Sequence, residues 1–167
     1  MSGVGAAGRG GGLNTGAAVE RQRAVSSRPR ALRAASAAVA GAGLAIATYL
    51  TIVHYAGGEP VCAVAHGCAT VQQSKYSHLA GIPVALLGLG GYVAILASLA
   101  RDGEAWRTAT AFLALAGFGF SAWLTYVEVV RLDAICIWCV GSAVCMTLLT
   151  GLSVVRVLSA PPPGRRA

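Results

Sequence analysis

Apolar positions along the chain are gathered into four long runs instead of being scattered or alternated. Residues 34–56, 79–100, 108–127 and 134–155 contain no Asp, Glu, Lys or Arg, and crossing a bilayer takes about 20 predominantly apolar residues. Four spanning helices are predicted. A transmembrane barrel requires an even series of alternating strands of about ten residues, and no such alternation runs through this sequence. The predicted fold class is therefore all-α, an integral membrane four-helix bundle.

Composition agrees with that pattern. Of the 167 residues 56% are hydrophobic and 11% charged, with mean hydropathy +0.66, whereas soluble domains carry about 25% charge. Six arginines (Arg9, Arg21, Arg23, Arg28, Arg30, Arg33) precede the first apolar run among glycines and serines. The net charge of +7 is thus concentrated in flanks and not on one folded face, which argues against a nucleic-acid partner. Residues 1–33 read as a disordered basic cytoplasmic arm, 34–156 as the membrane domain and 157–167 as a cytoplasmic tail. The opening Gly8-Arg9-Gly10-Gly11-Gly12 follows no strand and reads as low complexity.

Basic residues are retained on the cytoplasmic side of membrane proteins. The arm, the 101–107 turn and the carboxy-terminal stretch from Arg156 through Arg166 hold eleven of the thirteen Lys and Arg residues, leaving only Lys75 and Arg131 in the other two connections. Both termini are predicted to be cytoplasmic, in a multi-pass plasma-membrane protein. The 57–78 loop and the short 131–133 turn then face outward. The first run is too long, and lies too far from the amino terminus, for a cleaved signal peptide, so it reads as an anchor.

Four of the five cysteines meet on that outward side: Cys62 and Cys68 in the loop, and Cys136-Ile137-Trp138-Cys139 at the start of the fourth run. Disulfides persist in that compartment. A C-x-x-C pair in a first helical turn shares one face, and its thiolate is favoured by unpaired N–H groups and the helix dipole. Asp133 stands at the expected N-cap. Two pairs on one side allow electrons to pass by thiol–disulfide exchange, and a pair at the bilayer edge is placed to meet a lipid-soluble two-electron acceptor, a quinone. Zinc or copper binding is the rival reading, although C-x5-C departs from usual zinc knuckles, and Val140 stands where covalent haem attachment requires His. Cys145 reads as a small buried residue. His54, His66 and His78 read as interfacial or solvated, with His66 placed to assist a neighbouring thiolate. Gly81, Gly88, Gly91 and Tyr92 read as close helix packing, Trp123 and Tyr126 as interfacial anchors, and Glu128 as a solvated charge.

The string Cys68-Ala69-Thr70-Val71-Gln72-Gln73-Ser74-Lys75-Tyr76-Ser77, followed by Gly81-Ile82-Pro83, Gly88-Leu89-Gly90-Gly91-Tyr92 and Cys136-Ile137-Trp138-Cys139, resembles the vitamin K epoxide reductase family across residues 34–155. The resemblance implies a four-helix bundle around a quinone, capped by the first outward loop with a short horizontal helix. It also implies that Cys136 and Cys139 form the active-site pair, with Cys139 approaching the quinone. Cys68 would accept electrons from a partner's dithiol and Cys62 would pass them to Cys136, with Ser74 supporting the site. Ser74, Tyr76, Trp138 and Tyr126 are candidates for the quinone pocket. The implied activity is that of a thiol:quinone oxidoreductase that reoxidises a separate extracytoplasmic thioredoxin-like (DsbA-like) protein and so supports disulfide formation. Vitamin K quinone or epoxide reduction is the alternative, weakened by Ala143 where animal members carry tyrosine. The Ala, Gly and Arg richness suggests an actinobacterium, hence menaquinone.

Overall fold

The structure, a computed structural model, describes residues 12–62 and 67–159. Five α-helices follow in order: α1 (Gly12–Tyr55), α2 (Cys68–Gln73), α3 (Val84–Leu99), α4 (Glu104–Val127) and α5 (Ile137–Leu158). Between α2 and α3 lie a 3-10 turn (Lys75–Ser77) and a two-stranded antiparallel hairpin of β1 (His78–Leu79) and β2 (Ile82–Pro83). A π-helical turn, Glu128–Leu132, extends α4.

The four long helices pack as a closed ring, α1 on α3, α3 on α4, α4 on α5 and α5 on α1. Pro29–Tyr55, Glu104–Leu132 and Ile137–Leu158 are long and apolar enough to cross a membrane. Large apolar side chains such as Phe112, Leu115 and Val144 point outward, as lipid-facing positions should. The all-α membrane bundle is therefore the architecture observed.

Two boundaries differ from the sequence expectation. The second span, expected from residue 79, begins at Val84 and is 16 residues long, because Ala80 (φ 51°) and Gly81 (φ 83°) form a two-residue hairpin turn of the kind that needs positive φ at both positions. Gly81 thus serves a turn, not helix packing. At the amino-terminal side, α1 starts at Gly12 and continues through Pro29, so residues 12–33 are helical where a disordered arm was expected. Ala, Arg, Glu, Gln and Leu are strong helix formers, and they dominate residues 17–33. Residues 1–11 of the expected arm and 160–167 of the expected tail lie outside the described residues.

The core follows a stripe of small residues on α1. Ala40 and Ala47 are buried against Tyr92, Ile95, Leu99, Ala114, Met146 and Leu149, and a Cβ at Gly43 would collide with the Tyr92 ring. Small residues let helices approach closely where lipid supplies no hydrophobic drive. Tyr92, itself fully buried, bonds through its hydroxyl to the Ser142 hydroxyl (2.9 Å) and donates to the Ser142 carbonyl (3.1 Å), which ties α3 to α5. Farther along the bundle, the Ser98 and Thr110 hydroxyls meet at 2.7 Å between α3 and α4. A Cβ at Gly88 would make only ordinary van der Waals contact with Ala47, and one at Gly91 would meet nothing within 4 Å, since both glycines line a cavity.

Candidate active site at the cysteine end of the bundle

The reactive end departs from regular helix. After α4 the chain widens into the π turn, then Asp133 adopts left-handed φ 46° and its N–H bonds back to the Glu128 carbonyl. Ala134 N–H reaches the same carbonyl at 3.1 Å. This short turn delivers Cys136 to the N-cap position of α5. Asp133 is therefore not the N-cap expected from sequence, because its left-handed backbone sets it three residues before the cap. No side-chain hydrogen bond caps the first turn of α5, which leaves its N–H groups facing the cysteines.

Glu128 corrects a second expectation. Instead of a solvated charge it is 4% exposed, and its Oε2 accepts the Cys136 N–H at 3.1 Å. The π turn supplies the physical reason, since one added residue per turn rotates the side chain away from the face that regular α-helix would give it. Sequence reasoning missed this residue. The signal available was an acid at the close of an apolar run, eight positions before the C-x-x-C.

Four cysteines converge here. Cys62 and Cys68 are joined by a disulfide with Cα atoms 6.2 Å apart. Cys68 and Cys136 are buried in one cluster with Val71, and Cys62, Trp138 and Cys139 pack against it. Cys136 and Cys139 are thiols. The Cys136 thiol is pushed below the ordinary cysteine range, chiefly because the Cys139 thiol hydrogen-bonds to its sulfur; burial and the Glu128 charge oppose this, and the Cys139 and Trp138 backbone N–H groups assist it. The neighbouring thiol, and not the helix start, is thus the main cause, with two N–H groups of the first turn contributing.

The loop is held against this site at several points. Val61, next to Cys62, donates its N–H to the Tyr49 hydroxyl (3.0 Å) and its carbonyl accepts the Trp138 Nε1–H (2.9 Å). The Tyr49 and Trp138 rings lie 4.6 Å apart between centroids. A Cβ at Gly67 would stand 2.6 Å from Ile135 N, so only glycine lets the start of α2 approach the Cys136 strand this closely. Cys68 opens α2 and is turned inward by it, at 1% exposed, whereas Cys62 is half-buried. Cys62 is thus the less buried residue of the loop pair. His66 lies outside the described residues; the His54 and His78 rings lie 5.1 Å apart with their planes tilted by 60°, and neither belongs to the cysteine cluster.

Beside the pair opens a cavity of about 360 Å³. Its walls are mainly apolar side chains from α1, α3 and α4, and its polar lining includes Ser74, Tyr76, Glu128 and Cys139. Ligand pockets run from about 300 to 1,000 Å³ with few polar groups. An apolar slot with a thiol and hydroxyls at one end suits a flat, lipid-soluble ring carrying two carbonyl oxygens, so the residues fit a quinone. Ser74 donates to the Val71 carbonyl (2.8 Å), closing α2, and Tyr76 packs edge-on against Trp123. Trp138 and Tyr126 are not among the lining residues; Trp138 faces the loop because its indole N–H is committed to Val61. Cys145, expected to be buried, is only partly so and packs against the edge of the bundle core. Among the described residues no group of three or more His, Cys, Asp or Glu is arranged to hold a metal ion.

A helical membrane bundle that brings a disulfide and a dithiol together beside an apolar cavity defines a membrane redox protein. The sequence profile of the vitamin K epoxide reductase family matches residues 34–154, which takes in both cysteine pairs, all of α2, α3 and α4, and most of the apolar parts of α1 and α5. The chain belongs to that family, and is an oxidoreductase of the membrane.

Proposed function

We propose that this protein is a thiol:quinone oxidoreductase that reoxidises a separate extracytoplasmic thioredoxin-like protein, using a quinone, in an actinobacterial setting menaquinone, as final acceptor. The observation that carries the reading is the enclosure of Cys68 with Cys136 in one cluster whose neighbour Cys139 lines the cavity. The asymmetry of arginines supports an outward-facing cysteine end.

The residues divide the work as follows. A partner's thiolate attacks the loop disulfide, with Cys62, the less buried residue of the pair, as the point of attack. Cys68 is released as a thiolate beside Cys136 and exchanges with the Cys136–Cys139 disulfide; the partner's second thiol then displaces Cys62 from the mixed disulfide, and Cys62 displaces Cys136 from Cys68. That leaves the active pair as the dithiol seen here, together with a re-formed loop disulfide. Two partner thiols have become a disulfide, and two electrons rest on Cys136 and Cys139. A quinone supplies the two-electron sink that returns this pair to the disulfide. Ser74, Tyr76 and the apolar walls would hold it, and the lowered Cys136 pKa keeps a thiolate ready to close on Cys139.

The test is twofold. Purified protein should couple oxidation of a thioredoxin-fold dithiol to reduction of a short-chain menaquinone, and cells lacking it should accumulate reduced exported proteins. Quinone reduction in vitro with normal disulfide formation in such cells would instead favour quinone or epoxide reduction as the physiological reaction.

A further inference from the structure

Glu128 presents an unexplained cost. Removing a carboxylate from water costs several kcal/mol unless it is well paired, and the ion pair between Arg33 and Asp102 is the one salt bridge among the described residues. Accepting the Cys136 N–H does not require an acid, since an amide oxygen accepts equally well. Sulfur is what else lies near it: Cys139 lines the same cavity, and Cys136, whose N–H it accepts, presents the other sulfur of the pair. It is also the one charged side chain among the described residues lining the cavity. The titratable groups that face it are Cys136 and Cys139 from α5, with Tyr76 and Tyr92 elsewhere on the cavity wall; Cys68 on α2 is held in its disulfide.

We propose that Glu128 is a catalytic residue that takes the proton of the Cys139 thiol as the Cys136–Cys139 disulfide closes and returns it into the cavity. This rests on the thiol:quinone reading above. Closing the S–S bond from the dithiol releases two electrons and two protons. The electrons go to the quinone, which takes up two protons and leaves as hydroquinone. One of those protons travels from Cys139 through the Glu128 carboxylate, and the second is the proton lost by Cys136 as the S–S bond closes.

The variant that isolates this role is Glu128→Gln, whose amide oxygen can still accept the Cys136 N–H. In the full-length protein in detergent, reoxidation of the dithiol form by a short-chain menaquinone should slow about 100-fold or more, the usual scale of general acid–base catalysis. Reduction of the loop disulfide by a small dithiol should keep its wild-type rate. A readout without quinone is the infrared difference spectrum between dithiol and disulfide forms, which should contain a carboxyl band that shifts in heavy water and is missing in E128Q. Wild-type reoxidation in E128Q, equal slowing of both half-reactions, or no carboxyl band would overturn the assignment. If E128Q does not fold, the wild-type carboxyl band and its change across a pH series decide the question alone. Failure of wild-type protein to react with quinone would sink the functional reading, while the infrared band would still report on Glu128.

Discussion

The two ends of the bundle are built by different rules. In the half around Tyr92, regular helices meet through small residues, and the polar groups that do occur are hydroxyls that bond locally or across one helix pair. At the cysteine end the backbone leaves regular helix repeatedly, in the hairpin turn, the π turn and left-handed Asp133. Irregular backbone at membrane depth is tolerated where it is buried in protein or lines a cavity. The contrast teaches that stability and chemistry are segregated: one half holds the ring together, and the other holds sulfur atoms in register through a few directional contacts.

Variants that separate the halves should differ in kind. The largest effect is expected from Cys139→Ala, which should abolish quinone reduction while leaving thermal unfolding of the bundle unchanged; activity near wild type would remove Cys139 from the redox path. Next come two glycines. Gly43→Ala drives a methyl into the Tyr92 ring and Gly67→Ala drives one into the Ile135 backbone, and overpacking of this kind costs about 1–3 kcal/mol. The first should lower the unfolding temperature without altering Cys62 and Cys68 reactivity. The second should raise alkylation of the reduced loop cysteines with little change in bundle unfolding. An identical response from both would erase the proposed division.

A smaller effect is expected from Trp138→Phe, which removes the bond to the Val61 carbonyl while keeping an aromatic ring against Tyr49. A hydrogen bond of this kind contributes about 0.5–1.5 kcal/mol, so the loop should open several-fold more often, measured by amide exchange at residues 59–62. The subtlest test is pH. Because the Cys136 pKa is lowered, its thiolate survives to lower pH than that of an ordinary cysteine near 8.5, and its alkylation rate should rise at a correspondingly lower pH. Since the Glu128 charge works against the thiolate, E128Q should shift that rise lower still. A rise above the ordinary cysteine range would contradict the account of the cysteine pair.

The regular half was legible in the sequence because lipid imposes a simple requirement, and charge-free runs of about 20 residues express it directly. The four helices, the two cysteine pairs at one end of the bundle and the short helix that begins at Cys68 all follow from such runs or from the family resemblance. The irregular half was legible in its residues but not in its geometry. Nothing in the composition around Glu128 marks a π turn, so the acid read as a solvated residue at the membrane surface. Asp133 read as a helix cap because Asp favours that position, yet its tolerance of left-handed backbone served a tight turn instead. Trp138 is in the motif but faces the loop, since its N–H finds a carbonyl there. Tyr49, which holds the residue before Cys62, lies in an apolar run where a tyrosine signals nothing about a loop 12 residues away.

The most direct test is disulfide trapping in a double variant, Cys62→Ala with Cys139→Ala, which leaves one sulfur on each side of the junction. Under mild oxidation the account predicts a peptide pair linked through Cys68 and Cys136 in mass spectra of digested protein. Absence of that link here, together with no link from Cys62 to Cys136 in the Cys68→Ala, Cys139→Ala protein, would contradict it.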